Sequence, residues 1–94
     1  MAKIRSKYAF KKHAGKCAFC DEKDYSCLDA HRIYEGYKGG EYDSINVVVC
    51  CANCHRKIHS GNIKLIKKHI SYGESLYVLE YIENNETKFL SLKY

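Results

Sequence analysis

The sequence predicts a single small α+β domain built around paired cysteines, and three observations carry that expectation. Cys17 and Cys20 form one C-x-x-C pair and Cys51 and Cys54 another, with 30 residues between the pairs. A β-branched run, Ile45 to Cys50, leads directly into a stretch with helical spacing from Cys51, so a strand hands over to a helix inside the second pair. The chain has 94 residues, 46% of them hydrophobic and 29% charged, a globular composition with room for one core. A core of this size gains from a staple.

The six cysteines suggest what the staple is. No apolar run approaches the ~18 residues that a membrane span needs. The stretch Met1 to Lys16 is basic and lacks the apolar centre of a secretory signal. The expectation is a cytoplasmic chain in a reducing compartment, neither transmembrane nor secreted. There, paired cysteines read as a metal site before they read as disulfides.

Taken in order, residues 1–16 are a basic N-terminal arm, of which 3–14 can form a short helix. Cys17 to Cys20 is a tight turn, followed by a polar loop from Asp21 to Tyr25. Cys27 to Ile33 is a predicted strand, with Leu28, Ala30 and Ile33 as its apolar members. Tyr34 to Tyr42 is a loop in which Gly36, Gly39 and Gly40 supply backbone freedom. Ile45 to Cys50 is the second strand, and the two strands make a hairpin with a long loop. Ala52 to Ser60 is a helix closed by Gly61. A second helix is predicted from Ile63 to Tyr72, since Ile63, Ile66 and Ile70 fall at i, i+3 and i+7, with Lys64, Lys67 and Lys68 opposite and Gly73 closing it. Leu76 to Leu92 reads as a hairpin around Asn84-Asn85. No linker divides the chain, so 1–94 is one domain: the arm, a core over 17–60, and an extension over 61–94.

Each C-x-x-C pair lets two thiolates converge on one tetrahedral ion, as a structural Zn²⁺ requires. The second pair opens a helix, whose N-terminal dipole favours thiolate. Cys17, Cys20, Cys51 and Cys54 are therefore the expected zinc ligands. Cys50, at the end of an apolar strand, reads as a small core residue, and Cys27 can be the same. Zinc turn, hairpin and helix together make a treble-clef-like arrangement.

A second constellation lies inside the first. His55 and His59 are i, i+4 on the predicted helix and project from one face, about 90° around from the two cysteines. Imidazoles so placed suit a divalent metal. His31, on the facing strand, can act as a base that activates water for attack on a phosphodiester. Asn46 can orient the loop or the metal's surroundings.

Charge is compatible with two readings. The net charge is +5, and residues 1–20 hold six basic residues and no acid. No acid occurs from Ser44 to Gly73, a stretch that carries Arg56, Lys57, Lys64, Lys67 and Lys68. Two basic blocks flanking an acidic middle are a solvated charge pattern or a phosphate-tracking surface.

The segments Leu28-Asp29-Ala30-His31-Arg32-Ile33, Gly39-Gly40 and Asn46 through His59 together resemble the HNH endonucleases, and within them the zinc-braced members in which four cysteines enclose a ββα-metal fold. The resemblance covers roughly residues 17–60. It implies a small zinc-stabilised ββα-metal domain, here extended by a C-terminal helix and β-hairpin. It implies His31 as general base, Asn46 as the residue constraining the loop, and His55 and His59 as ligands of a catalytic Mg²⁺ or Mn²⁺. Many members carry two adjacent residues at the first position, a metal ligand and then the base. Read as Ala30-His31, the pair leaves His31 as base and one ligand missing. Read as His31-Arg32, it makes His31 the ligand and puts Arg32, which stays protonated, where the base belongs. The first alignment is preferred, because neutral imidazole accepts a proton near pH 7.

The function expected from all of this is metal-dependent nicking or cutting of DNA, with phosphates held by the N-terminal arm and by Lys64, Lys67 and Lys68. Double-strand cleavage by one such unit needs a homodimer or two successive nicks. Two alternatives use less of the sequence. A non-catalytic zinc module binding nucleic acid or a protein keeps the cysteines and treats the histidines as structural. A zinc-braced subunit of a larger assembly makes no use of the histidines.

Overall fold

Hydrogen bonding of the backbone at each element's ends explains where the elements begin and stop. In the computed structural model, residues 6–34, 39–70 and 77–94 are described. Helix α1 runs Lys7–Ala14. Ser6 caps it by accepting from the Ala9 N–H, and Gly15 closes it at φ 72° with its N–H on the Lys11 carbonyl. Phe10 is its buried anchor. The expected arm is thus, from residue 7 on, a docked helix; residues 1–5 lie outside those described.

A 3₁₀ turn over Tyr25–Cys27, capped by Asp24, precedes strand β1, Leu28–Arg32. Strand β2, Val47–Cys51, pairs with it antiparallel, with Leu28 opposite Cys51 and His31 opposite Val48. Every residue of β2 is buried, as an unbroken apolar run predicts. Both strands begin later than the sequence suggests, because side chains spend the preceding residues on turns: Asp24 accepts from Ser26, and Asp43 from the Ile45 N–H. Helix α2, Ala52–Ser60, has the expected bounds and closes at Gly61 with φ 89°.

The predicted second helix over Ile63 to Tyr72 is instead a strand, β3, Ile63–Ile70; Tyr72 and Gly73 lie outside the described residues. It pairs antiparallel with β4, Tyr77–Glu83, which pairs with β5, Glu86–Leu92. The reason is a register shift between Leu65 and Lys67. One extra residue flips the side-chain alternation, so Ile63 is buried before the shift and Lys68 after it, while Ile66 and Ile70 are exposed. The bulge lays isoleucines at helical intervals on a strand. The hairpin is as expected: Asn84 and Asn85 have φ of 55° and 63°, the left-handed pair of a tight two-residue turn.

Among the described residues, five strands and two helices thus make a small α+β domain. Its core joins Phe10, Leu28, β2, Ile63, Leu79 and the C-terminal Leu92 and Tyr94. Lys68 lies inside it. Its Nζ donates to the Val47 carbonyl and to the backbone oxygen of Tyr94, and sits 4.8 Å from the ring centres of Tyr77 and Tyr94. The Tyr94 hydroxyl accepts from the Val49 N–H at 3.0 Å. Burial brings the Lys68 amine down to about 7, against the pull of the Asp43 charge. Lys68 therefore bolts the three-stranded sheet to β2 and is not the phosphate-facing lysine expected from the sequence. Lys64 and Lys67 remain exposed.

Candidate metal centres

Helix α2, the hairpin that feeds it and the turn that holds Cys17 and Cys20 carry two groups of ligating side chains. The first is Cys17, Cys20, Cys51 and Cys54, whose sulfurs lie within 4.8 Å of one another. The Ala18 N–H donates to the Val49 carbonyl at 2.9 Å and fastens the first turn to β2. The Cys17 N–H donates to the Glu22 carbonyl at 2.9 Å and closes that turn. Cys51 caps α2, its Sγ accepting from the Cys54 N–H at 3.4 Å, and the Cys17 Sγ accepts from the Phe19 N–H at 3.3 Å. The Cys20 and Cys51 sulfurs are 3.6 Å apart. Tetrahedral Zn–S bonds of about 2.3 Å place sulfurs about 3.8 Å apart, so the four thiols fit a metal such as zinc with little movement.

Their electrostatics fit as well. Burial pushes the Cys51 thiol up, but the Cys54 N–H and the surrounding thiols outweigh it and bring it down to about 7. Burial and those neighbours drive the Cys54 thiol up instead. A crowded set with one ready thiolate is relieved by a divalent cation. Cys27 and Cys50 stand outside this group. Cys50 is buried in β2, where burial raises its thiol to about 12, as befits a core residue.

The second group is His31, His55 and His59, whose ring nitrogens also lie within 4.8 Å of one another. His31 Nδ1 is 3.3 Å from His55 Nε2, and His59 Nε2 is 3.1 Å from the same atom. The helix supplies two imidazoles one turn apart, and β1 brings the third across to meet them. His31 and His55 are half-buried and His59 is exposed, so the group opens to solvent. Behind it, His55 Nδ1 lies 3.1 Å from Asp29 Oδ2.

Asn46 sits apart from the imidazoles. Its side chain accepts from the Tyr34 N–H at 2.7 Å and donates to the carbonyls of Tyr34 and Glu41 at 3.0 and 2.9 Å. It ties the two ends of the β1–β2 connection together; residues 35–38 of that connection lie outside those described. Arg32 is on the opposite face of β1 from His31 by strand alternation, with its guanidinium 4.4 Å from the centre of the Tyr42 ring.

The structure thus brings the four predicted cysteines into one group and the three predicted histidines into another, with Asn46 in the loop. Sequence reasoning missed Asp29. The signal was present: two residues before His31 on a strand means the same face. Compared with known proteins, the chain matches no family model, no curated protein and no solved structure.

Proposed function

We propose that the chain is a metal-dependent DNA endonuclease of the HNH type, in which a zinc ion held by the four cysteines braces the fold and a second divalent ion occupies the histidine group. The observation that carries this reading is the convergence of His31 Nδ1, His55 Nε2 and His59 Nε2 on the solvent-open side of α2, beside a cysteine group that fits a structural ion. Three protein ligands with open positions are the signature of a working metal site, whereas four closed thiolates are that of a brace.

The geometry favours His31 as a ligand over His31 as the general base. Its Nδ1 faces His55 Nε2, which His59 Nε2 also approaches, and Arg32 next to it is turned to Tyr42. Three neutral nitrogen donors suit Ni²⁺ or Zn²⁺ better than Mg²⁺. When bound, such an ion supplies Lewis-acid stabilisation of the charge that develops on the phosphoryl group and the leaving 3′ oxygen. Asn46 holds the β1–β2 loop closed beside the strand that carries His31. Lys7 and Lys12 on α1 and Lys64 and Lys67 on β3 are exposed cations available to phosphates.

Nicking of supercoiled plasmid by the zinc-loaded protein tests the proposal. Nicking is expected with added Mn²⁺ or Ni²⁺. It should fall on His31→Ala and be partly restored by excess metal, as for a lost ligand. A His31→Ala protein that stays inactive at any metal concentration, with its ion affinity intact, would return His31 to the role of base. A wild-type protein that fails to nick whichever divalent ion is added would favour the non-catalytic zinc module instead.

A further inference from the structure

We infer that Asp29 is a positioning residue for the histidine group: it accepts the His55 Nδ1–H and thereby presents His55 Nε2, lone pair outward, to a bound ion. The inference rests on the proposed second metal site and adds to it a residue outside the HNH-like ligand set. Asp29 and His31 are two residues apart on β1, so they share the face that looks onto α2. From that face Asp29 reaches one nitrogen of the His55 ring and His31 approaches the other.

A neutral imidazole carries its proton on one nitrogen only, and the partner of that nitrogen decides which. A carboxylate only accepts. The 3.1 Å approach of Asp29 Oδ2 to Nδ1 therefore puts the proton on Nδ1. The Nε2 lone pair is then free to accept, and both close neighbours can donate to it: His31 Nδ1 at 3.3 Å and His59 Nε2 at 3.1 Å. These three contacts are consistent with this one tautomer of His55. With the opposite tautomer, His55 Nδ1 would direct a lone pair at a carboxylate and Nε2 would present a hydrogen to the ion's position. A carboxylate behind a metal-binding imidazole also raises its basicity, and removing such a group typically costs about 10–100-fold in metal affinity.

The test is a pair of measurements on the zinc-loaded full chain and on Asp29→Ala, Asp29→Asn and Asp29→Glu, each checked for fold by circular dichroism. Long-range ¹H–¹⁵N correlation spectra read the His55 tautomer before any second ion is added. Wild type should show Nδ1–H, Asp29→Ala a mixture or the Nε2–H form, and Asp29→Glu a return toward Nδ1–H. Titration with Ni²⁺ alone then reads affinity, and Asp29→Ala and Asp29→Asn should bind about 10–100-fold more weakly than wild type. An Nδ1–H tautomer unchanged in Asp29→Ala, or equal Ni²⁺ affinities, overturns the role of Asp29 while leaving the metal site standing. A wild-type protein that binds no Ni²⁺ but loses the Nδ1–H tautomer on Asp29→Ala fails the metal site instead and leaves the hold of Asp29 on the ring established.

Discussion

The two ligand groups share one helix and differ in almost everything else. Cys51 and Cys54 are buried at the start of α2, where the Cys54 N–H reaches the Cys51 sulfur, as the Phe19 N–H reaches that of Cys17 on the first turn. His55 and His59 follow on the solvent side, held by side chains: each other, His31 and Asp29. A site built on backbone is rigid and closed, and its ion belongs to the fold. A site built on side chains, half-buried and open, can exchange ligands with water and substrate. Nine residues of helix thus join a brace to a candidate working site, and the first positions the second.

The largest expected effect separates them. Cys51→Ser removes a thiolate and the helix cap together. Structural zinc contributes roughly 10–16 kcal/mol to folding in small zinc domains, as much as the whole stability of a domain at about 5–15 kcal/mol, so this variant should be unfolded by circular dichroism. His55→Ala should keep the native spectrum. A folded Cys51→Ser protein, or an unfolded His55→Ala one, would collapse the distinction.

Within the histidine group, His55 is the hub. His55→Ala should weaken Ni²⁺ binding by more than the roughly 10–100-fold expected for loss of the group behind a ligand. His59→Ala, at the exposed edge, should cost less than His55→Ala in the same titration. Equal losses would mean that His55 is no more a hub than His59, and no loss from either would mean that the nitrogens do not share one ion.

Lys68 offers a comparison from the core. Replacing it with Met leaves the Val47 carbonyl and the Tyr94 backbone oxygen without their donor, at about 1–3 kcal/mol for each unsatisfied group. The pH dependence has a definite sign. The unfolded lysine holds its proton up to its ordinary value of 10.5, while the folded one gives it up near about 7. Between these the unfolded state binds more protons, so this group's contribution to stability rises with pH. Urea midpoints at about pH 7 and about pH 9 should therefore show Lys68→Met losing more against wild type at the higher pH. A difference independent of pH would contradict the burial of an ionisable amine.

The smallest effect concerns phosphate. Each lysine contact to duplex DNA adds about 0.9 to the slope of log affinity against log salt. Lys64→Ala with Lys67→Ala should flatten that slope, and Lys68→Met should not. Lys7→Ala and Lys12→Ala test α1 without touching the buried Phe10. An unchanged slope in all of them would remove these lysines from the DNA-facing surface.

What was legible in the sequence follows from which features are local. Cys51, Cys54, His55 and His59 lie within three turns of one helix, so spacing alone aligned them. His31 and Cys17 join through strand pairing and a turn, and hairpin order was enough to bring them near. The β3 strand was illegible because its bulge sets Ile63, Ile66 and Ile70 at helical intervals, and only pairing with β4 reveals it. Lys68 was misplaced for a related reason: lysine is almost never fully buried, and its backbone-oxygen partners come from β2 and from Tyr94. Asp29 was readable from strand alternation but has no meaning until His55 is placed opposite.

The separation of brace from working site is tested most directly by native mass spectrometry of the purified chain, counting bound ions before and after mild chelation. With Zn²⁺ and then Ni²⁺ supplied, two ions per chain are expected. A weak chelator should strip one and leave the folded charge-state distribution unchanged, and His55→Ala should hold one ion from the start. A chain that binds a single ion, or that loses both ions and its fold in one step, would contradict two separable centres on α2.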